Sequence, residues 1–250
     1  MSRLGGTLIY RLLSLVALVV AWEIAGQLAD SRLFPPLSSV LQTIVAETAE
    51  GRMVGETAIT LARVAASFAL AMLIGSALGL LLGRSPRLDG LLDSWVLLLL
   101  NLPALVVIVL AYVWFGQIEA AAIGAVAINK IPTVVVMVRE GARALDPELE
   151  EMARSFRLSR WRTLKHIILP QLYPYLMGAA RSGLALVWKI VLVVELLGRP
   201  NGVGFQISIA FQHFDVVTIL AYALTFIIVV QAVEFGMLRP LDQRLHRWRR

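Results

Sequence analysis

The chain has no cysteine and few charged residues for its length. Among its 250 residues, 16% are charged, 58% are hydrophobic and none is cysteine. A typical soluble domain is about half apolar and roughly a quarter charged. The lack of cysteine excludes a disulfide framework, a thiolate metal site and a cysteine nucleophile, and it leaves the redox compartment undetermined. The lack of charge indicates that much of the chain is solvated by lipid.

Sequence patterns of catalysis are missing as well. The chain has no HExxH, GxSxG or Walker sequence, and its histidines, His166, His213 and His246, stand apart. Asn201-Gly-Val-Gly204 lacks the third glycine and the strand-to-helix context of a dinucleotide loop. The sequence therefore predicts no enzyme, no metal site and no cofactor in this chain. Its net charge of +6 does not indicate nucleic acid, because the basic residues lie at the ends of apolar runs.

Long apolar runs make up most of the remainder. A helix needs about 20 mainly apolar residues to cross a hydrocarbon layer of roughly 30 Å. The first run could instead be a signal peptide, but its length, Glu23 and the lack of a clean cleavage site favour an uncleaved span. We predict an all-α, polytopic membrane protein with six transmembrane helices. They run from about Leu8 to Leu28, Leu61 to Leu82, Leu91 to Phe115, Ile118 to Val138, Leu172 to Leu196 and Val216 to Leu238.

The arginine and lysine residues predict the orientation of these spans. If the N-terminus is cytoplasmic, 16 of them fall in cytoplasmic joints and 4 in external ones. Basic residues are enriched on the cytoplasmic side of membrane proteins. Both termini are therefore predicted to be cytoplasmic, and residues 146–170, between spans four and five, face the cytoplasm. The polar section from Asp30 to Thr60 is predicted to be external, with an interfacial helix capped by Ser38 or Ser39.

Two kinds of residue inside the spans indicate close packing or a pathway. Ala71, Gly75, Gly79 and Gly83 recur at four-residue intervals, which favours helix packing within one subunit. Asn101-Leu-Pro103 interrupts span three, and Ile131-Pro132 interrupts span four. Lipid tolerates such breaks where neighbours or a water-filled cavity satisfy the freed backbone groups. We therefore expect spans three and four to border a pathway.

Charged residues in the spans are a further indication, since a central charge is costly in lipid. Lys130, beside Asn129, and Lys189 could attract an anionic solute, or a lysine could pair with Glu195 or Glu234. Lys189 and Glu195 are six residues apart, so they do not share a helix face. The predicted pathway or gate residues are Asn101, Pro103, Asn129, Lys130, Lys189, Glu195, Gly202 and Gly204.

The charged segment 146–170 reads as two short amphipathic helices around a corner. Asp146-Pro147 is a helix start, and the apolar residues Leu149 to Phe156 recur at helical spacing. Ser159 offers a second cap, followed by an apolar stripe that continues to Pro170. The physics leaves two interpretations open. One is a lever that contacts a soluble partner, and the other is a helix resting on anionic lipid.

The order of several motifs resembles that of a known family. Glu151-x-Ala153, a corner at Arg157 and Ile167-x-Leu169-Pro170 resemble the signature loop of permease subunits in type I binding-protein-dependent ABC importers. The similarity extends over nearly the whole chain and points to the branch that carries nitrate, taurine and aliphatic sulfonates. Its further motifs are Thr60-Leu-x-Arg63, Gly75 to Gly83 with Arg84-Ser-Pro86, Pro103, Trp114-Phe115-Gly116, and Glu195 with Gly202-Val-Gly204.

That resemblance implies that this chain works in a complex with several other proteins. It implies a bacterial inner-membrane permease, paired with a second copy, with two cytoplasmic ATPase subunits that bind ATP and magnesium, and with an external solute-binding protein. Its parts would be an N-terminal helix with an external segment (1–55), a five-helix core (56–238) and a basic cytoplasmic tail (239–250). An ion-coupled secondary transporter is the alternative, and a membrane-embedded enzyme is a weaker one.

In the same family the loop docks on the ATPase, and the turn at Gly202 to Gly204 belongs to the external gate. Most relatives have glycine where this chain has Arg157, so either the corner differs here or Arg157 is strained. The implied coupling residues are Glu151, Ala153, Ser155, Phe156, Arg157, Leu158, Ser159 and Pro170.

Overall fold

The computed structural model describes residues 2–29, 31–234 and 236, and that part of the chain contains helices and no strand. The predicted all-α class is thereby confirmed. The basic tail and the end of the sixth predicted span lie outside the described residues. The elements are α1 (Ser2–Ala29), α2 (Leu37–Ala49), α3 (Arg52–Arg84), α4 (Pro86–Asn101), α5 (Ala104–Phe115), α6 (Glu119–Arg143), α7 (Pro147–Ser155), α8 (Arg160–Thr163), a π-helical turn (Leu164–Ile168), α9 (Leu169–Gly198), α10 (Val203–Gln212) and α11 (Val216–Val233).

Length and composition do not reproduce the predicted count of six spans. Within the described residues, α3, α6 and α11 are long and apolar enough to cross a membrane, and α4 with α5 makes a fourth candidate. The helix α9 is 30 residues long but carries Arg181, Lys189 and Glu195. The architecture is therefore a set of membrane helices in which one long member is unusually polar.

The third predicted span is not a single helix. A bend of 96° separates α4 from α5, because Leu102 and Pro103 are both extended. Pro103 instead becomes the N-cap residue of α5. The expected interruption at Pro132 is wrong, because α6 runs through this buried proline from Glu119 to Arg143. A proline removes one backbone hydrogen bond, and neighbouring helices can hold such a helix together.

Glycines on α3 allow α3 and α6 to pack closely along their length. A Cβ at Gly75 would lie 2.6 Å from the Cβ of Val134, and one at Gly79 would lie 2.8 Å from the carbonyl oxygen of Val135. Gly83 faces Ala142 in the same way. The residue numbers of the contacting pairs increase in the same direction along both helices, so α3 and α6 run parallel. The predicted packing of this ridge within one subunit is confirmed.

The helix α9 packs antiparallel to α6. Gly141 of α6 faces the ring of Tyr175, while Gly183 of α9 faces the side chain of Lys130. The main apolar core lies where these helices meet α5, α10 and α11, and Trp188 contacts Phe226 there edge to face at 5.9 Å. The core therefore holds the C-terminal half of α9 against the rest of the bundle.

The helix predicted between Asp30 and Thr60 is present as α2, but its predicted cap is wrong. Pro36 is the N-cap residue and makes no side-chain cap hydrogen bond. Ser38 lies in the first turn, where its backbone N–H and hydroxyl donate to the Glu23 carboxylate at 2.9 and 2.8 Å. Glu23 of α1 thus satisfies the start of α2, which explains an acidic residue in an apolar helix.

Candidate functional site

The two-helix loop, residues 146–170, begins as its sequence predicts. The Asp146 carboxylate accepts a hydrogen bond from the backbone N–H of Glu148 at 2.8 Å, which caps α7. The backbone N–H of Asp146 donates to the Gln171 side chain at 2.9 Å. Ala153 is buried, while Glu151 and Ser155 are exposed. The start of the loop is therefore tied to the first turn of α9.

Arg157 occupies the left-handed region at the corner, with a φ of 52°. The N–H of Leu158 donates to the carbonyl of Ala153 at 2.9 Å, and the N–H of Arg157 donates to that of Arg154 at 3.0 Å. These two bonds form a Schellman motif, whose left-handed position usually carries glycine. The corner is therefore the one that glycine would form, and Arg157 bears the strain of adopting it.

Around this corner, large apolar side chains lie uncovered. Phe156 is 76% exposed and Trp161 is 69% exposed. Leu149 and Met152 of α7 are also exposed, so most of the predicted apolar face of α7 is not covered by the described residues. Loops of soluble surfaces seldom present two aromatic rings so openly, and contiguous apolar patches mark contact sites. An exposed apolar surface of this kind is typical of a contact site.

The second half of the loop is continuous with α9. The Ser159 hydroxyl caps α8 by accepting from the N–H of Arg162 at 3.3 Å, as predicted. The helix then passes through the π-helical turn and Pro170 without a break and ends only at Gly198. Ile167 and Ile168 of the predicted stripe are buried against the bundle. The second half of the loop and α9 therefore form one continuous helical segment.

A salt bridge that sequence reasoning missed ties the loop to α3. The Arg84 guanidinium donates to both carboxylate oxygens of Glu150, at 2.9 and 3.0 Å. The same end of the bundle holds a second cluster, in which Arg139 of α6 donates to Asp89 at 3.0 Å and to Asp93 at 2.6 Å. These contacts connect α7 and α4 to the ends of the parallel helices α3 and α6.

At the opposite end of α9 lies a buried polar cluster centred on Glu195, called here the Glu195 cluster. Its carboxylate is fully buried and accepts from the Arg63 guanidinium at 2.7 Å. It also accepts from the Thr60 hydroxyl and from the N–H of Gly204, both at 2.9 Å. Buried charges are usually paired and hydrogen-bonded. Glu195 meets both conditions through Arg63, Thr60 and Gly204, and neither Lys130 nor Lys189 is among its partners in the described part of the chain.

Arg63 joins four parts of the chain in this cluster. Besides Glu195 it donates to both carboxylate oxygens of Glu119, at 2.6 and 3.0 Å, and to the backbone carbonyl of Asn201 at 2.9 Å. It also donates to the Asn201 side chain. Arg199 binds Glu119 from the other side at 2.6 Å. One arginine thus connects α3, the start of α6, the end of α9 and the turn before α10.

The turn fits against Glu195 only because it contains glycine. Gly202 has a φ of 104°, which L-residues rarely adopt, and a Cβ there would overlap the Glu195 carboxylate. A Cβ at Gly204 would lie 2.7 Å from that of Glu195. The backbone N–H of Gly202 donates to Glu56, and that of Val203 donates to the Thr60 hydroxyl at 2.9 Å. The turn is therefore hydrogen-bonded to both α3 and α9.

Of the predicted gate residues, the structure brings together Glu195, Gly202 and Gly204. Sequence reasoning missed their partners as site residues, although Thr60 and Arg63 stood in a quoted motif. The sequence did contain a signal: Thr60 and Arg63 lie about one turn apart where a predicted apolar span begins. An arginine that is buried there requires acidic partners.

The predicted pathway lysines face different surroundings. Lys130 is 1% exposed, and its ammonium group has no hydrogen-bond partner among the described residues. Lys189 is exposed, and Asn129 is half-buried. Asn101 is exposed, and its side chain donates to the carbonyl of Leu97 at 2.7 Å. Proximity in sequence therefore does not place Asn129 and Lys130 on one surface.

Comparison with known proteins decides the family. The model of the family described as "binding-protein-dependent transport system inner membrane component" matches residues 71–246. The chain belongs to this family. The permease is 28% identical over 240 residues to a Bacillus subtilis protein named an aliphatic sulfonates transport permease, SsuC, across 95% of this chain and 87% of that one. It is 28% identical to the taurine transport system permease protein TauC of Escherichia coli, across 93% and 86% of the two chains.

A solved structure supports the same fold. A chain of the methionine ABC transporter MetNI, in inward-facing conformations, superposes on the permease with a TM-score of 0.67 and 18% identity. The match covers 80% of this chain and 98% of that one. The expected fold of a type I ABC importer permease is thereby confirmed, as is membership of the branch that includes sulfonate and taurine systems. The permease is a multi-pass inner-membrane component of a transport system.

Proposed function

We propose that the permease forms the pathway of an ATP-driven importer for a small anion of the sulfonate type. An external binding protein delivers the solute, and a separate cytoplasmic ATPase supplies the energy. The working unit contains two copies of the permease, because two ATPase sites need two loops. This chain itself neither binds nor hydrolyses ATP. SsuC and TauC, whose names refer to sulfonates and to the amino sulfonate taurine, support the choice of solute.

One observation carries the proposal most strongly: the exposed corner and the Glu195 cluster lie at the two ends of one helix. The helix α9 has 30 residues, about 45 Å at 1.5 Å per residue. Phe156 and Trp161 stand uncovered where its cytoplasmic extension turns, and Glu195 lies three residues before its external end. A push on the corner therefore reaches the external cluster through a single rigid element.

This geometry supports a mechanism of alternating access. In the closed external end, Arg63 holds α3, α6, α9 and the Gly202 turn together. Opening that end requires either that Glu195 moves away from Arg63 or that the Gly202 turn moves away from both residues. Separating a buried ion pair costs several kcal/mol, a cost within what the closure of an ATPase pair on the docking corners can supply. The cluster then returns to its paired state when the ATPase pair opens.

Reconstitution tests the proposal. The permease is placed in proteoliposomes with its ATPase, and uptake of a radiolabelled alkanesulfonate is measured with and without the binding protein and ATP. We expect uptake only when all components are present, and no ATP hydrolysis by the permease alone. Uptake driven by an ion gradient in the absence of the ATPase would replace this proposal with a secondary transporter.

A further inference from the structure

A cavity lies between the two-helix loop and the end of α3. Its volume is about 390 Å³. The helices α7 and α8, the π-helical turn and the last residue of α3 all contribute to its wall. The residues that line it include four charged ones, Arg84, Glu150, Arg154 and Arg160, and the apolar Leu158 and Ile168. The loop therefore has a concave surface that the proposed function does not use.

The cavity carries an excess of positive charge. Arg84, Arg154 and Arg160 contribute three positive charges, and Glu150 contributes one negative charge. Arg84 donates to both carboxylate oxygens of Glu150, which neutralises this acidic group. The guanidinium groups of Arg154 and Arg160 have no hydrogen-bond or ion-pair partner among the described residues. Two arginine charges are thus available to a ligand that enters the cavity.

The cavity and the exposed apolar face of α7 lie on different sides of that helix. Met152 belongs to the apolar face and is 43% exposed. Glu150 and Arg154, which line the cavity, each lie two positions away from Met152. Successive residues of an α-helix are about 100° apart, so both lie about 160° around α7 from Met152. A protein partner that covers the apolar face therefore does not have to cover the cavity.

The position of Arg84 places the cavity at the boundary of the membrane. The helix α3 is long and apolar enough to span the bilayer, and Arg84 is its last residue. Ile168 is buried against the bundle, whereas Arg154 and Arg160 are exposed on the loop. Basic pockets beside spanning helices at this level bind the headgroups of anionic lipids. Arginine suits such a ligand, because its guanidinium group donates two parallel hydrogen bonds to a phosphate.

We propose that this cavity binds a phosphate group through Arg154 and Arg160. Two sources carry this chemistry, the headgroup of an anionic lipid and free phosphate, and the position at the membrane boundary favours the lipid. Leu158 and Ile168 offer apolar surface to the uncharged part of a lipid, which free phosphate lacks. The site goes beyond the proposed function, since it requires neither the solute nor the ATPase. The loop then has two contact surfaces, an apolar face for a protein partner and a basic cavity for lipid.

Calorimetric titration tests the site. The purified permease, in an uncharged detergent at constant ionic strength, is titrated with dihexanoyl phosphatidylglycerol, with dihexanoyl phosphatidylcholine and with inorganic phosphate. We expect phosphatidylglycerol to bind most tightly. Phosphatidylcholine should bind much more weakly because its headgroup has no net charge. Inorganic phosphate should also bind more weakly than phosphatidylglycerol, because it has no apolar part to contact Leu158 and Ile168.

Variants of the lining residues should change the affinity in opposite directions. Arg154→Gln and Arg160→Gln should each weaken the binding of phosphatidylglycerol by about fivefold, the effect of one basic residue beside an anionic surface. Glu150→Gln should strengthen binding by about the same factor, because it removes a negative charge from the cavity and releases Arg84. A variant that fails to fold does not gain affinity. The matched control is Arg162→Gln, which removes an exposed arginine of α8 that does not line the cavity and should leave the dissociation constant unchanged.

Three results would overturn the inference in whole or in part. If Arg162→Gln weakens binding as much as Arg160→Gln, the whole basic loop attracts anions and the cavity is not a site. If the two lipids bind equally, or if none of the three probes binds, the cavity holds no phosphate group. If inorganic phosphate binds as tightly as phosphatidylglycerol and responds to the same variants, the phosphate site stands and the lipid is not its ligand. Because the titration involves neither ATPase nor uptake, a failure of reconstituted transport would sink the proposed function and leave this site intact.

Discussion

Replacing Arg63 with methionine should destabilise the permease more than any comparable change on the same helix. Arg63 is 3% exposed, and methionine fills a similar length without its charge. The Glu195 carboxylate would then keep only Thr60 and the N–H of Gly204, with its charge unpaired. Breaking a buried ion pair in this way costs about 3–5 kcal/mol. At about 2–4 °C per kcal/mol for a chain of this size, Tm should fall by about 10 °C.

The control is Arg52→Met, also on α3. Arg52 forms ion pairs with Glu47 at 2.7 Å and Glu50 at 2.6 Å, but its side chain is 59% exposed. Exposed pairs contribute about 0–1 kcal/mol, so its Tm should shift by only about 2 °C, scaled in the same way. The assay is thermal unfolding of the purified permease in detergent, followed by circular dichroism. Equal shifts for the two variants would refute the central role of Arg63.

A double variant isolates the pair itself. Arg63→Met with Glu195→Gln removes both charges, so no unpaired ion remains buried. We expect the double variant to be more stable than the sum of the single changes predicts, because the cost of the orphaned carboxylate is removed. Strict additivity would show that Arg63 and Glu195 are not energetically coupled in the closed state.

Three further changes test the turn, the corner and the loop. Gly204→Ala should lower Tm and uptake together, because its Cβ would contact Glu195, whereas Gly124→Ala, which has open space, should lower neither. Arg157→Gly should raise stability by about 1 kcal/mol by relieving a left-handed residue, measured as an increase in Tm; a decrease would contradict the strained corner. If its guanidinium also binds the ATPase, Arg157→Glu should reduce ATP-coupled uptake, and unchanged coupling in both variants would exclude that contact. Arg84→Gln should shift Tm little, since the Glu150 pair is partly exposed, but should lower uptake per ATP hydrolysed if the bridge transmits motion.

The loop was predictable because its structure is local. Asp146 and Ser159 cap helices that begin within one residue of them, and the corner between them needs only its neighbouring carbonyls. Such signals depend on residues three to six positions apart, so composition and spacing reveal them. The glycine ridge of α3 was predictable for the same reason, although the sequence did not name α6 as its partner.

The break between α4 and α5 was only half predictable. Proline and asparagine at Asn101-Leu-Pro103 indicated an interruption, but a similar proline at 132 leaves α6 continuous. Whether a proline ends a helix depends on what surrounds it, because neighbours decide if the lost hydrogen bond is tolerated.

The sequence by itself determined the membrane class, the two-helix loop and the resemblance to the family, since these depend on composition or on residues close along the chain; that Arg157 adopts the left-handed corner was decided by the structure. Only the tertiary structure decided that Glu195 pairs with Arg63, 132 positions away, and with neither lysine. It also decided that Lys130 is buried while Lys189 faces outward. A charge in a membrane helix must find a partner, a protein interior or water, and the folded packing of helices determines which of the three it meets.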